Sequence, residues 1–363
     1  MNFESIASTI INHSLTLKKG DNLYITVRGT SQIELAKAVE NLAKTMGINT
    51  RYGFKTTDET KLFYENVEEE ELNAFIMEES DRMRWADGIA LISENVSTKL
   101  SPSARAKSNK VFLEVHEKIR LKKKWLLTGA PCMEECNNDK QIFNEMMDTY
   151  LKACSIDYTK MDVAQDTFKR YLEKSDKVRI VAKGTDITFS IKDMPAIKCV
   201  GTCNLPDGEI FTAPIKNSVN GIITYNLPSK RNGLTHNNIC LEFHDGKIIK
   251  ESSDHSEELT DAFNVDEGAR YIGEFAFGVN PFVNKCFNNI LYDEKISGSI
   301  HFTPGSCYDD CDNGNKSAMH WDLVQSHTPE FGGGEIYLDG VLIRKNGRFV
   351  LPELECLNPE NLI

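Results

Sequence analysis

Strand-like and helix-like segments alternate through the first half of the chain, and that alternation limits the fold more than any other feature. Residues 22–28 (NLYITVR) are short, β-branched and bounded by Gly20 and Gly29, which reads as a strand. Thr30 or Ser31 stands where it can cap the helix that follows. In that helix Leu35, Ala36, Val39, Leu42, Ala43 and Met46 share one face at the 3.6-residue period, and Gly47 supplies the stop. The unit then repeats. Residues 48–55 resume a strand, 69–87 form a charged amphipathic helix, and 88–94 (GIALISE) read as a buried strand. A helix over 101–123, a strand over 125–131 (WLLTGAP) and a helix over 139–154 follow. Such alternation implies an α/β N-terminal domain with a helix-covered, mostly parallel sheet. It holds neither G-x-G-x-x-G nor G-x-x-x-x-G-K-[ST], so a nucleotide pocket has no support and a structural role is expected.

The texture changes around residues 175–190, where KVRIVAKGTDITFSIK reads as a hairpin turning at Lys183-Gly184-Thr185. Short β-rich runs then dominate, with hairpin signals at Asp245-Gly246, Asp339-Gly340 and Asn346-Gly347. Helix is expected mainly near 256–270. The boundary is therefore placed near residue 185: 1–185 as the α/β domain, 186–363 as a β-rich α+β domain.

With 363 residues, 40% hydrophobic and 26% charged, the chain has room for two ordinary globular domains. No run approaches the ~20 apolar residues of a membrane span. Glu4 and the lack of a basic, then apolar leader argue against a signal peptide, so a cytoplasmic address is expected. A net charge of −12 argues against a nucleic-acid partner. The basic run at 118–124 (KIRLKKK) reads as the solvated end of a helix. Of ten cysteines, Cys132/Cys136, Cys199/Cys203 and Cys307/Cys311 are spaced four apart, without the paired knuckles of a zinc ribbon; free thiols are expected.

Histidine is distributed unevenly. Only His13 and His116 precede the boundary, whereas His236, His244, His255, His301, His320 and His327 follow it. Imidazole clustered with carboxylate suits zinc, cobalt or manganese. Glu209 opens a short strand after the Pro206-Asp207-Gly208 turn. Glu274 lies in IGEFAFGVNP among apolar neighbours, and a buried carboxylate needs a metal or a cation such as Arg270. His301 alternates with Ile300 and Phe302 in a β-like run, and the Pro304-Gly305 turn then leads to Tyr308. His320 and Asp322 are two apart, so on an extended segment they share a face with Trp321 opposite. Taken singly, each has an alternative reading as a solvated carboxylate or a core histidine. Together they offer donors for two metals sharing ligands, a known solution for peptide hydrolysis.

The stretches DGEIFTAP, GEFAFGVNP, LYDEKISGSIHF, NKSAMHWDLV and EIYLDG, in that order, resemble the aminopeptidase T family of thermophilic-type metallo-aminopeptidases. The resemblance runs from about residue 185 to the C-terminus and is looser before it. It implies metal ligands Glu209, Glu274, His301, His320 and Asp322, with Tyr308 near the metals; its hydroxyl is expected to donate to the oxyanion. It further implies two divalent ions per chain (zinc, cobalt, manganese or magnesium), peptide substrates with a free N-terminus, and a homodimer. The segment between Tyr308 and His320 is shorter than in longer members, which bears on substrate preference. Glu294 is a further candidate, as ligand or as a group orienting His301. Glu274 is expected to serve as the base too, because an apolar setting raises the pKa of an uncommitted Glu. The rival readings are a metal-dependent hydrolase of another amide or ester, and a non-catalytic metal-binding assembly protein.

Overall fold

The computed structural model describes residues 2–96, 99–231 and 233–363. The chain divides into two compact units, Met1–Ser155 with Gly201–Pro206, and Ile156–Val200 with Asp207–Ile363.

The first unit is the expected helix-covered parallel sheet. Its strands run in the order Asn49–Lys55, Asn22–Arg28, Gly88–Ser93, Lys124–Thr128, Asn204–Leu205, and each neighbouring pair is parallel. Leu35, Ala36, Val39 and Ala43 of the Ile33–Thr45 helix are buried, while Leu42 and Met46 at the rim of that face are half-buried. The expected cap at Thr30 or Ser31 does not form. Thr30–Gln32 is instead a 3-10 turn without a side-chain cap. Gln32 fixes it from inside, accepting from Ala130 N and donating to Ala130 O, both at 2.8 Å. The helix expected over 101–123 is a Pro102–Val111 α-helix continued by a π turn, Phe112–Glu117.

The second unit starts earlier than residue 185. It opens with the helix Tyr158–Lys174, capped by Asp157, whose Tyr158, Met161, Ala164, Phe168 and Leu172 are buried. Phe168 packs edge-on against Phe277 at 4.8 Å and Phe349 at 5.0 Å, so the helix shares a core with the later strands. Residue 185 lies inside the Lys177–Ala182/Thr185–Ser190 hairpin, where the change of texture becomes visible but the packing unit has already begun. The division at Ser155/Ile156 follows from that shared core.

Two sheets build this unit. An eight-stranded sheet carries the expected hairpins, and Asp245-Gly246, Asp339-Gly340 and Asn346-Gly347 all have positive φ at both positions, as type I′ turns require. A five-stranded antiparallel sheet has the order Val324–Ser326, Ser299–Pro304, Ile272–Gly278, Glu209–Thr212, Ile197–Cys199. Its inner face packs Phe275 and Phe302 on Phe189 of the larger sheet, each pair at 5.0 Å between ring centres. Because side chains alternate along a strand, the intervening residues lie on the other face. None of the ten cysteines forms a disulfide. Among the described residues no helix is long and apolar enough to cross a membrane.

Candidate metal centre

The register of the five-stranded sheet assembles the centre. Ala276 pairs with both His301 and Phe211, Glu274 with Thr303, and Gly278 with Glu209. Residues paired across a ladder share a face, so Glu209, Glu274, His301 and Thr303 all lie opposite the phenylalanine core. All four are buried. His301 Nε2 stands 3.2 Å from Glu274 Oε1 and 3.6 Å from Glu209 Oε2. The alternative partner for Glu274 is excluded, since Arg270 pairs with Glu251 at 3.0 Å.

Gly305 delivers the second half of the centre. With φ +110° and no side chain it lets Met319 O approach, where a Cβ would stand 2.1 Å from that oxygen. His320 then bridges to Gly305, and its Nε2 lies 3.2 Å from both Glu274 Oε2 and Asp322 Oδ1. His320 Nδ1 lies 2.7 Å from the carbonyl of Ser306, which only an N–H can satisfy; Nε2 is thereby left facing two carboxylates. Thr303 Oγ1 donates to Asp322 Oδ1 at 2.8 Å. Trp321 points away, packed near His236 at 5.3 Å. The Tyr308 ring lies 4.9 Å from the His320 ring and is 48% exposed. The short 309–319 segment is pinned by Asn313 to Pro214 O and Ile272 O, and by Asn315 to Gly268 O and Gly305 O.

Lys295 carries no local signal of its role. Fully buried, its Nζ lies 2.6 Å from Glu294 Oε1, 2.7 Å from Glu209 Oε1 and 3.6 Å from Asp207 Oδ1. In the string DEK a lysine beside acids reads as solvated surface. Gly278 reverses that, because a Cβ there would meet Ile296 O at 2.3 Å and Glu294 O at 2.9 Å. The missing side chain lets the Glu294–Lys295 segment close onto the sheet.

Glu209, Glu274 and His301 place donor atoms within 4.8 Å of one another; so do Glu274, His320 and Asp322, and so do Glu294, His301 and Asp322. Cys199, Asp207 and Glu209 form a fourth such group, where the Lys295 ammonium already stands beside both carboxylates. Burial would lower the pKa of His301, yet Glu209, Glu274 and Asp322 outweigh it and push it to about 9. Against the same burial, Asp322 and then Glu274 push His320 up to about 12. Burial raises Glu294 to about 8, opposed by Lys295 and reinforced by Glu209 and Asp322. Glu274 runs opposite to expectation. Burial alone would raise it, but both oxygens face imidazoles and its pKa falls below the ordinary value.

These residues fit a divalent cation. Glu209 Oε2 is buried without a hydrogen-bond partner. Two imidazole nitrogens face carboxylate oxygens at 3.2 Å, an arrangement that repels unless a proton or a metal lies between. The mixed carboxylate and imidazole donors suit a first-row metal or zinc.

A sheet face bearing such a donor set defines a metalloprotein. The chain belongs to the thermophilic metalloprotease (M29) family, whose model matches residues 1–349. It is 28% identical over 184 residues to aminopeptidase AmpS of Bacillus subtilis (strain 168), 44% of each chain. It is 28% identical over 174 residues to aminopeptidase T of Thermus aquaticus, covering 41% of this chain and 40% of the relative. The matched part thus spans less than half the length of these two relatives. In structure it is similar to wild-type AmpT from Thermus thermophilus, with TM-score 0.78 and 18% identity, covering 96% of this chain and 99% of that one. It is also similar to a 2,5-dihydroxypyridine dioxygenase from Pseudomonas putida KT2440, with TM-score 0.63 and 14% identity, over 97% and 98% of the two chains. The expected family and fold class are borne out. One fold shared by an aminopeptidase and a dioxygenase means that chemistry must be argued from the site.

Proposed function

We propose that the chain is a metal-dependent aminopeptidase that removes N-terminal residues from peptides at a dinuclear centre. One observation carries this reading: Glu274 presents Oε1 to His301 and Oε2 to His320, each at 3.2 Å. The groups Glu209–Glu274–His301 and Glu274–His320–Asp322 share that carboxylate, so these five residues would together hold two divalent cations. Bound metal supplies Lewis acidity and lowers the pKa of a coordinated water.

The chain's own residues do the rest. Glu209, Glu274, His301, His320 and Asp322 hold the ions. With both oxygens of Glu274 engaged, the proton acceptor passes to Glu294, which keeps one oxygen on Lys295 and lies within reach of His301 and Asp322. The Tyr308 hydroxyl donates to the oxyanion formed as the peptide carbonyl is attacked. Lys295 stands against Asp207, Glu209 and Glu294 and holds those carboxylates in place behind the ligands. Zinc, cobalt, manganese and magnesium are the metals to try, and a homodimer belongs to the same proposal through the family resemblance.

The test is elemental analysis of purified protein together with a peptide panel. About two ions per chain and cleavage of free-amine peptides alone are expected. Equal cleavage of N-acetylated peptides would assign the centre to another amide or ester hydrolase. Metal content with no hydrolysis of any substrate would favour the non-catalytic reading.

A further inference from the structure

The N-terminal unit contains a cavity of about 470 Å3 at the carboxyl ends of its parallel strands. Small-molecule sites occupy about 300–1,000 Å3, and in open α/β sheets they lie at this end. The floor follows from register. Gly53, Thr26 and Leu91 align across three strands, and the next row outward on the same face is Lys55, Arg28 and Ser93. Glycine and threonine in the inner row leave the space open, and even a Cβ at Gly53 would stand 2.6 Å from the Tyr24 hydroxyl.

Charge in the cavity is opposite in sign to that of the chain. Four cationic side chains, Arg28, Lys55, Arg82 and Arg120, line it against one carboxylate, Glu79. Glu79 is already engaged by Arg82 at 2.8 Å and by the Tyr24 hydroxyl at 2.8 Å. The other three cations have no carboxylate at ion-pair distance among the described residues. Arg28 Nε donates to Ser93 Oγ at 2.9 Å. Lys55 Nζ lies 4.0 Å from the ring centres of Phe63 and Phe75. Arg120 lies 4.0 Å over Trp125, and its Nε is buried without a hydrogen-bond partner. Burial lowers the pKa of all three, the signature of cations in want of an anion. The wall opposite the floor is aromatic, with Tyr64 and a 45% exposed Phe112.

We propose that this cavity is a second ligand site, for a small organic anion joining a flat apolar body to one oxyanion group, carboxylate or phosphate. The oxyanion sits between Arg28 and Lys55 at the strand ends, and the body lies over Gly53 and Thr26 against Tyr64 and Phe112.

The experiment uses the full chain after chelator treatment, with phenyl phosphate, phenylacetate, inorganic phosphate and benzylamine as probes. Binding is followed by saturation-transfer NMR and calorimetry. Both aryl anions are expected to bind, inorganic phosphate at least tenfold more weakly than phenyl phosphate, and benzylamine not at all. Whichever aryl anion binds tighter identifies the oxyanion as phosphate or carboxylate. The double variant Arg28→Gln/Lys55→Gln should weaken both at least tenfold, with an unchanged melting temperature and unchanged peptidase activity in the metal-loaded enzyme. Phe112→Ala should weaken the aryl anions several-fold and leave inorganic phosphate untouched, which keeps the test open if the double variant folds poorly. Absence of aryl-anion binding at millimolar concentration, or binding indifferent to both variants, would overturn the proposal.

Discussion

His320 Nδ1 donates to the carbonyl of Ser306 at 2.7 Å, and this bond turns Nε2 toward Glu274 and Asp322. A ring oriented by its far nitrogen is a pre-set ligand, so its loss should appear in metal content before anything else. His320→Ala, His301→Ala and Glu209→Ala should each bind metal at least ~100-fold more weakly than the wild type, since even outer groups are worth about 10–100-fold. Elemental analysis after dialysis reads this directly. A variant that retains the full complement is not a ligand variant.

Chelation should abolish hydrolysis of an aminoacyl-nitroanilide, and added zinc or cobalt should restore it. Imidazole and carboxylate ligands must shed protons to bind metal, so reloading should also release protons into weakly buffered solution. Full activity after prolonged incubation in excess chelator would remove metal from the reaction.

Tyr308 packs on the His320 ring at 4.9 Å and is 48% exposed. Desolvation, then Glu274, Asp322, Glu294 and Glu209, raise its pKa, so the hydroxyl keeps its proton and remains a donor. Tyr308→Phe should keep its metal and lower kcat by about 10²-fold, the lower range for one oxyanion donor. Equal turnover in the two proteins would exclude that role.

Much of this centre was legible in the sequence because strands obey a two-residue period. His320 and Asp322, two apart, do face the same cluster, and the Asp-Gly and Asn-Gly pairs do form the hairpin turns. What stayed hidden depended on long-range register. Nothing local tells that Gly278 opposes Glu209, or that its bare backbone admits the Glu294–Lys295 segment. The commitment of both Glu274 oxygens is likewise a product of two histidines 19 residues apart in sequence, His301 and His320. The amphipathic pattern of the helix Tyr158–Lys174 names no partner; its contacts with Phe277 and Phe349 place it in the second unit.

Lys295 should matter most when metal is absent. Its ammonium is set against Glu209, Glu294 and Asp207, and stripping one partner from a buried ion cluster costs about 3–5 kcal/mol. Lys295→Met should therefore unfold at lower urea concentration than the wild type in chelator. Saturating metal binds only the folded chain and neutralises Glu209 among these carboxylates, so the gap should narrow when metal is added. A gap of the same size with and without metal would place Lys295 outside the electrostatics of the centre.

Acid should weaken the N-terminal unit through His116. Burial first, and the neighbouring Arg120 second, push its pKa down to about 4. An unfolded histidine titrates near 6.5, so between these values the unfolded chain binds the extra proton. The contribution of neutral His116 is thus fully present above about pH 6.5 and is lost as pH falls toward 4. Across that span of about 2.5 pH units the loss approaches ~3 kcal/mol at most, and less where solvent reaches the half-buried ring. His116→Leu keeps the apolar contact with Phe112 and has nothing to protonate. Urea unfolding followed by fluorescence of Trp85 and Trp125, repeated from pH 7 to pH 4, should show the variant losing less stability than the wild type. Parallel losses in the two proteins would show that His116 is already protonated in the fold.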